Sequence, residues 1–332
     1  MEMTLRDVWE WTQKHHGLHY IYSVYHSQSV LEAALLLLEH HILSIPVLMA
    51  PSIEDDESDT FMGIVDVRSI LLELSTGMSE DFTLFHSGNP LPAFWNTLSE
   101  RRTKCQGEEV ICIANQNLDL EYTGNLDHSL QYTILHGIFA GSKTTPRHLC
   151  QQRICIFDSH GTIPGLISQL DLLNVMHTII RQDKSTLWQT WQSTTAAEAL
   201  ALPPAVCLGE TAPLWEVLQV MLGKKNESES DQPDAIVVQH ANGHSTMLSL
   251  QSLLPLMTAS ELLYATPLSL YLSSSCCRRE DIHSDPPLPA SSSLWACMEY
   301  CLQHKVHHLL LKSARDTLCM VHVSDLLRHC LE

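Results

Sequence analysis

The chain repeats one pattern of apolar and polar segments four times. In each copy a helical pattern is followed by a short apolar segment, a polar gap, a second apolar segment and another helical pattern. Apolar residues at i, i+3, i+4 and i+7 are typical of helices, and short apolar runs bounded by turn residues are typical of buried strands. The sequence therefore predicts four units of helix, strand, strand and helix in an α/β (α+β) fold.

The first helix of each copy has its own sequence pattern. In "ETAPLWEVLQVML" the apolar residues from Leu214 to Leu222 keep helical spacing, Thr211 is a candidate N-cap and Pro213 suits the first turn. The segments "SVLEAALLLLEHHI" and "SSSLWACMEYCLQH" show the same periodicity. The pattern in "SLQYTILHGIF" is poorer, because Gly137 weakens a helix.

Two strand patterns follow in every copy. The first strands are predicted at "SIPVLM", "RICIF", "AIVV" and "HLLL", and the second at "FMGIV", "IPGLIS", "TMLSL" and "LCMVHV". Turn-forming residues such as "DSHG" and "HANG" separate them, and the acidic "SIEDDESD" is predicted to be a solvated hairpin loop. Each second strand runs into an apolar helix: "RSILLEL", "QLDLLNVM", "QSLLPLM" and "SDLLRHCL".

Breaks in this pattern set the predicted boundaries. Residues 181–199 separate copies one and two from copies three and four, so residues 1–183 and 184–332 are predicted to form two modules. The copies are predicted at about residues 18–75, 122–181, 200–258 and 262–332. Irregular loops are expected at 223–234 and 273–293. In the segment from 75 to 128 that joins copies one and two, "EEVICIAN" is predicted to be a strand.

Composition and charge argue against several classes of protein. The chain has 332 residues and is 45% apolar, enough for two domains of ordinary size. Its 38 acidic and 19 basic residues give a net charge of −19, which argues against nucleic acid and anionic membranes as partners. Eleven scattered cysteines, many in apolar runs, indicate reduced core thiols. With no signal-peptide pattern and no apolar stretch of spanning length, the expected location is the cytoplasm, with the nucleus as a second compartment.

Copies two and four resemble a known family. The segments "QRICIFDSHGTIPGLISQLDLL" and "KVHHLLLKSARDTLCMVHVSDLL" resemble the CBS repeat, in which a strand with basic residues, a turn and an apolar strand lead into Ser-x-x-Asp at a helix start. Four such repeats in a chain of this length resemble the γ regulatory subunit of AMP-activated protein kinase, whose repeats pair as Bateman modules. This resemblance implies clefts between repeats that bind AMP, ADP or ATP, with no other cofactor.

The resemblance places candidate nucleotide-binding residues in two copies. Copy two supplies Ser168 and Asp171 on the ribose side and Arg153 on the phosphate side. Copy four supplies the corresponding set, which consists of His322, Asp325, His307 and His308.

Copies one and three depart from the family pattern. Copy one has Ser69 at the ribose-binding Asp position, with Asp66 three residues earlier. Copy three has Ser252 at that position, and Asp234 lies near the basic position. Each lost charge-assisted contact costs about 1.5–3 kcal/mol, so these two copies are expected to bind a nucleotide poorly.

Other roles remain open for some of these residues. Ser168 and Asp171 have the spacing of a helix capping box, a role that is compatible with ligand binding. Arg153 can equally pair with Asp158, and Arg68 is expected to be a solvated base.

The sequence contains further histidines and tryptophans that invite a functional interpretation. His304, His307 and His308 have a spacing that suggests a metal, but no further metal motif accompanies them, and alternation along a strand would turn the last two rings opposite ways. We expect no metal site. Four tryptophans could dock a partner, although core packing is the more frequent fate: Trp9, Trp11, Trp188 and Trp191.

The sequence thus predicts a non-catalytic, adenine-nucleotide-sensing subunit of a serine/threonine protein kinase complex. Its expected partners are the catalytic and scaffold subunits of that complex, and a nucleotide bound between repeats would favour one arrangement of them. No phosphate-loop, nucleophile-elbow or zinc-protease motif indicates an enzyme. The alternative is a ligand-free CBS scaffold, and a third possibility is a metabolite sensor outside kinase signalling.

Overall fold

A computed structural model describes most of the chain. The residues outside its description are 1–2, 17–20, 51–58, 76–102, 113, 115–124, 140, 145–149, 151, 158–162, 184–185, 223–232, 258–266, 275–281, 284 and 332. Most of the predicted loops at 52–59 and 223–234 and most of the segment 75–128 therefore lie outside the described residues.

Copies one and two contain the predicted strand hairpins and flanking helices. Helix α1 (Leu5–His16) comes first, and copy one continues with β1 (Val24–Tyr25), α2 (Val30–His40), β2 (Ser44–Met49), β3 (Thr60–Asp66) and α3 (Val67–Ser75). A 3-10 turn, Val110–Cys112, precedes copy two. Copy two contains α4 (Leu130–Tyr132), a π-helical turn (Thr133–Ile138), β4 (Arg153–Ile156), β5 (Gly165–Ser168) and α5 (Gln169–Asp183).

The second half of the chain repeats this order. Two helices connect the halves, α6 (Thr186–Ser193) and α7 (Ala196–Ala199). Copy three contains β6 (Cys207–Gly209), α8 (Leu214–Leu222), β7 (Ala235–Gln239), β8 (Ser245–Ser249) and a 3-10 helix (Leu250–Met257). After α9 (Leu268–Ser273) and β9 (Ile282–His283), copy four contains β10 (Leu288–Pro289), α10 (Leu294–His304), β11 (His308–Lys312), β12 (Leu318–His322) and α11 (Val323–His329).

Local sequence explains where the helices begin and how regular they are. Ser29 caps α2, because its Oγ accepts the Glu32 N–H while the Glu32 carboxylate accepts the Ser29 N–H at 2.7 Å. The prediction of Thr211 as the N-cap of α8 is wrong: Pro213 forms a β-bridge to Pro267, and the helix begins only at the next residue. The weak helix predicted around Gly137 is confirmed as one short α-helical segment followed by the π-helical turn.

Short parallel strands complete three of the sheets. β1 pairs with β2, β6 with β7 and β10 with β11, all in parallel, while every hairpin pair is antiparallel. β9 pairs antiparallel with β8. Because β9 and β10 lie within residues 273–293, the expectation that this stretch is irregular throughout is wrong. The predicted strand at "EEVICIAN" is also wrong, since the Val110 N–H binds the Gln28 carbonyl at 2.7 Å and the chain turns there.

One backbone hydrogen bond recurs in all four copies. The first N–H of the second helix donates to the carbonyl of the residue directly before the first hairpin strand. The four bonds are Val67 to Leu43 at 3.0 Å, Gln169 to Gln152 at 3.2 Å, Leu250 to Asp234 at 3.1 Å and Val323 to His307 at 2.9 Å. This bond makes Leu43, Gln152, Asp234 and His307 equivalent positions in copies one to four.

Segments that precede one copy pair with another copy. Thr4, before copy one, forms a β-bridge to Ser129 at the first helix of copy two, and Glu109, before copy two, bridges to Ser29 of copy one. The same exchange links copies three and four through Thr195 with Ser293 and Pro213 with Pro267. The predicted modules themselves, 1–183 and 184–332, stay a prediction.

The described chain divides into two compact units. Residues 1–21, 119–205 and 286–332 form one, which we call the two–four unit after the copies it contains. Residues 22–118 and 206–285 form the other, the one–three unit. Each unit has its own apolar core, to which both of its copies contribute.

The cores account for most of the tryptophans and cysteines that the structure describes. Trp191 is buried in the two–four unit, and Trp9, Trp11 and Trp188 pack against the same core, so the core-packing interpretation is confirmed for these four residues. Six of the nine described cysteines are buried and unlinked, as predicted: Cys105, Cys150, Cys155, Cys297, Cys301 and Cys319. Among the described residues, no helix has the length and apolarity needed to cross a membrane.

Candidate functional site

The candidate residues of copy two meet on one face of its hairpin. Arg153 and Ser168 are directly opposite each other in the antiparallel register of β4 and β5. Ile154 and Ile167, the next pair along the strands, are buried in the core. Because side chains alternate along a strand, Arg153 and Ser168 lie on the face opposite the core.

Ser168 and Asp171 join β5 to α5 through reciprocal hydrogen bonds. The Ser168 N–H and Oγ–H both donate to Oδ2 of Asp171, at 2.8 Å and 2.6 Å, and the Asp171 N–H donates to Ser168 Oγ at 3.2 Å. The capping interpretation is thereby confirmed. Both contacts that Ser168 donates end on the same carboxylate oxygen, Oδ2. The box therefore holds Asp171 in the first turn of α5, close to Ser168, which is paired with Arg153.

Burial dominates the electrostatics of Arg153. Desolvation lowers the pKa of its guanidinium, and the nearby Asp171 carboxylate opposes that effect. Arg153 stays cationic, since arginine is not deprotonated in proteins. A partly buried cation beside a capping carboxylate is an arrangement that can accept an anion. Asp158, the other partner considered for Arg153, lies outside the described residues.

Copy four presents histidines at the corresponding positions. His308 and His322 are cross-strand partners, as Arg153 and Ser168 are in copy two, and their ring centroids lie 4.7 Å apart. The His307 ring lies 6.3 Å from that of His322. The expectation that the rings of His307 and His308 point opposite ways is not met, because β11 begins only at His308 and strand alternation does not reach His307. His304 is exposed and stacks on Tyr300.

His307 is held in its neutral form at ordinary pH. Burial, together with the smaller effects of the positive charges of His308 and Arg153, lowers the pKa of this imidazole to about 3. The influence of Arg153 on His307 shows that candidate residues from copies two and four lie close together in this unit. Copy four therefore offers a neutral imidazole at His307, and it has His308 where the family pattern has an arginine.

His322 and Asp325 cap α11 in a modified way. The His322 N–H donates to Asp325 Oδ2 at 2.8 Å, as Ser168 does to Asp171. The ring Nδ1 of His322 accepts the N–H of Ser324 at 3.0 Å and lies 2.7 Å from its Oγ. His322, Ser324 and Asp325 are all buried, whereas Ser168 and Asp171 are only partly buried. The copy-four carboxylate is thus less open than its copy-two equivalent.

The one–three unit has the same helix starts with different chemistry. In copy one the roles are reversed, because the Ser69 N–H and Oγ–H donate to Asp66 Oδ1 at 2.7 Å and 2.8 Å. In copy three Ser249 and Ser252 place their hydroxyls 3.3 Å apart.

The expectation that Arg68 is a solvated base is wrong. Arg68 Nη2 lies 2.5 Å from Asp234 Oδ1, and each side chain is only 12% exposed. This ion pair joins residues 166 positions apart, so no local pattern could have revealed it. The Arg68–Asp234 ion pair is the main contact among the candidate residues that the sequence did not predict.

Comparison with known proteins confirms the resemblance to CBS proteins. Residues 19–76, which comprise copy one, match the family model of the CBS domain. No curated protein matches the chain. Protein MJ1225 from Methanocaldococcus jannaschii, described as a proposed archaeal homolog of g-AMPK, is similar in structure with a TM-score of 0.62 and 11% identity over 94% of this chain and 96% of that one.

Two further solved structures show weaker similarity. An uncharacterized conserved protein from Pyrococcus horikoshii has a TM-score of 0.45 and 12% identity over 87% of this chain and 91% of that one. The CBS-domain containing protein ATU1752 from Agrobacterium tumefaciens has a TM-score of 0.33 and 14% identity over 53% and 95%. The family match of residues 19–76 and the similarity to MJ1225 show that the chain contains a CBS domain in copy one and has an α+β fold of the CBS type. That all four copies are CBS repeats stays a prediction.

Proposed function

We propose that this chain is a regulatory protein that senses adenine nucleotides through copies two and four and transmits their binding to a serine/threonine protein kinase. The observation that carries the proposal is the arrangement in copy two, where Arg153 and Ser168 face each other and Ser168 fixes Asp171. CBS domains commonly bind adenine nucleotides, and proteins that contain them are usually regulatory and not catalytic.

The copy-two residues can perform the two tasks that a nucleotide requires. The capping contacts of Asp171 use Oδ2, and a carboxylate has two acceptor oxygens, so Oδ1 can accept the ribose hydroxyls while the cap stays intact. Arg153 can bind a phosphate through two parallel N–H groups. A phosphate would also offset the cost of burying the guanidinium, which desolvation imposes in the free protein.

Copy four would contribute a weaker site. With its pKa near 3, His307 is neutral at pH 7 and can donate only ordinary hydrogen bonds. Charge-assisted hydrogen bonds are roughly twice as strong as neutral ones, so Arg153 should dominate phosphate binding. We therefore expect copy two to determine affinity.

Regulation would follow from linkage between the nucleotide and a partner protein. A ligand that favours one arrangement of the repeats changes the affinity of any partner that prefers the same arrangement. The similarity of fold to a proposed archaeal homolog of g-AMPK supports a kinase as that partner. Affinity capture of the full chain followed by mass spectrometry tests this part, and capture without any kinase catalytic or scaffold subunit would contradict it.

A thermal-shift titration with AMP, ADP, ATP and S-adenosylmethionine tests nucleotide binding. We expect AMP to raise the melting temperature. At a concentration of a hundred times its Kd, AMP should add about 2.7 kcal/mol to the free energy of unfolding. Arg153→Met should weaken AMP binding at least tenfold, since one charge-assisted contact is worth about 1.5–3 kcal/mol. Asp171→Ala should weaken it as well.

Glu32→Ala is the matched control for Asp171→Ala. Glu32 closes a capping box with Ser29 through the same kind of contacts, at 2.7 Å and 2.9 Å, but belongs to the first helix of copy one. It should lower stability by a similar amount and leave the AMP response unchanged. No stabilisation by any of the four compounds at millimolar concentration would overturn the nucleotide-sensing proposal.

One observation favours a second candidate function, a ligand-free CBS scaffold. In the one–three unit Arg68 of copy one is paired with Asp234 of copy three, and in the two–four unit His307 is uncharged at pH 7 because its pKa is lowered to about 3. A wild-type chain that captures partners and shows no nucleotide response would establish the scaffold.

A further inference from the structure

Asp234 occupies a position where the other repeats present no acid. Its carbonyl accepts the Leu250 N–H, which makes it the counterpart of Gln152 in copy two and His307 in copy four. His307 belongs to the candidate phosphate-binding residues, and Gln152 directly precedes Arg153. Copy three therefore places a carboxylate where copy four places a histidine that the family pattern assigns to a ligand phosphate.

The Asp234 carboxylate binds an arginine from copy one. Arg68 Nη2 lies 2.5 Å from Asp234 Oδ1, and both side chains are nearly nine-tenths buried. Arg68 lies in the first turn of α3, directly before Ser69, which holds the ribose-side position of copy one. Copy one thus has the Arg68 cation directly beside the position at which the family pattern has the ribose-binding aspartate.

A second acidic residue, Asp66, interacts electrostatically with Arg68 and Asp234. Asp66, the last residue of β3, is partly buried, and both the positive charge of Arg68 and the negative charge of Asp234 act on its carboxyl group. Burial raises the pKa of Asp66, and the Ser69 hydrogen bonds oppose this. Asp234 thus binds the guanidinium directly, and its negative charge would repel an added anion there.

We propose that the Asp234 carboxylate is an internal substitute for a phosphate group, and that copies one and three form a phosphate-type anion site that the chain closes with its own side chain. An oxyanion and a carboxylate make the same kind of paired contact with a guanidinium. Neutralising Asp234 leaves Arg68 buried without this counter-ion, and a phosphate from solution can take the vacated place. The inference does not require that copy two binds a nucleotide.

Rescue by inorganic phosphate tests the inference on the full chain. Asp234→Asn keeps the shape of the side chain and removes its charge, and the variant is melted in increasing phosphate against sodium chloride of equal ionic strength. We expect phosphate at ten times its Kd to raise the melting temperature of this variant by about 3 °C more than that of the wild type. Phosphate binding at Arg153 contributes equally to both proteins and cancels in the difference.

Two control variants separate a specific anion site from a general salt effect. Asp234→Glu keeps the internal anion and should respond to phosphate as the wild type does. Arg68→Met combined with Asp234→Asn removes the cation together with its partner and should lose the extra response. If Asp234→Asn does not fold without anion, its refolding yield in phosphate and in chloride provides the same comparison. Equal phosphate responses in Asp234→Asn and the Arg68→Met double variant, or equal refolding yields, would overturn the inference.

Discussion

Replacing Gly165 by alanine should destabilise the two–four unit, because the ring of Trp9 lies directly on this residue. A Cβ atom added to Gly165 would lie 2.0 Å from Cη2 and 2.2 Å from Cζ3 of Trp9. Carbon atoms pack at about 3.5–4.0 Å, so either the ring or the strand would have to move by about 1.5 Å. Gly165 belongs to β5 and Trp9 to α1, and both elements contribute to one core.

The expected cost is about 2–3 kcal/mol. Overpacking a well-packed core typically costs about 1–3 kcal/mol, and this clash involves three atoms of a large, stiff ring. Unfolding in urea, followed by circular dichroism, measures the change. Gly209→Ala is the matched control, since Gly209 is also a strand residue but its added Cβ would have nothing closer than Thr211 Oγ1 at 3.9 Å. That change should be neutral or slightly stabilising, because alanine lowers the entropy of the unfolded chain.

A double-variant cycle identifies Trp9 as the cause. Trp9→Leu lowers stability on its own, but it removes the ring atoms that a Cβ at position 165 would meet. Gly165→Ala should therefore be close to neutral in the Trp9→Leu background, which gives a coupling energy of about 2 kcal/mol. The same cost in both backgrounds, or a cost no larger than that of Gly209→Ala, would refute the close contact between α1 and β5.

Three further predictions concern pH, capping and thiol reactivity. The two–four unit should lose stability as the pH falls from 7 to 5, because the pKa of His307 is lowered to about 3 in the folded protein while the unfolded chain takes up this proton near pH ~6.5. The free energy of unfolding should fall by at most about 1.4 kcal/mol per pH unit. Urea unfolding at each pH measures this slope, and His307→Gln should remove it. Ser29→Ala should cost about 1 kcal/mol in the same assay, since the Glu32 N–H loses its acceptor, and a cost near zero would contradict this. A thiol reagent at pH 8 should label exposed Cys112 before Cys155, because burial raises the pKa of Cys155 to about 12; peptide mass spectrometry should show the difference, and equal labelling rates would be inconsistent with it.

Sequence periodicity is sufficient to locate the hairpins but not the short strands beside them. β2 and β7 are bounded apolar runs of six and five residues, long enough for a pattern to be recognised. β1 and β10 have two residues each and form only because a longer strand offers a free edge. A pattern read along the chain contains no information about such an edge. The wrong strand prediction at "EEVICIAN" has the same origin, since contacts with residues 26–29 determine its conformation.

The candidate site shows the same division between local and distant information. The contacts of Ser168 with Asp171, and of Asp66 with Ser69, span three residues and follow from the spacing alone. The Arg68–Asp234 pair depends on how copies one and three fold together, and the charge of Arg68 by itself indicated a solvated residue. Lysine and arginine are exposed in most proteins, so only the fold could reveal this exception.

The recurring backbone bond explains how the four copies can share a fold and differ in chemistry. The bond uses the carbonyl group of residue 43, 152, 234 or 307 and leaves the side chain at that position unconstrained. The four side chains are those of Leu, Gln, Asp and His, so the same place in the fold is apolar, neutral polar, anionic or titratable. In copy two the next residue, at the start of β4, is the cation Arg153. The side chains at these one or two positions therefore decide whether a copy attracts or repels an anion. The Asp234→Asn experiment changes that property at one position while the backbone bond stays in place.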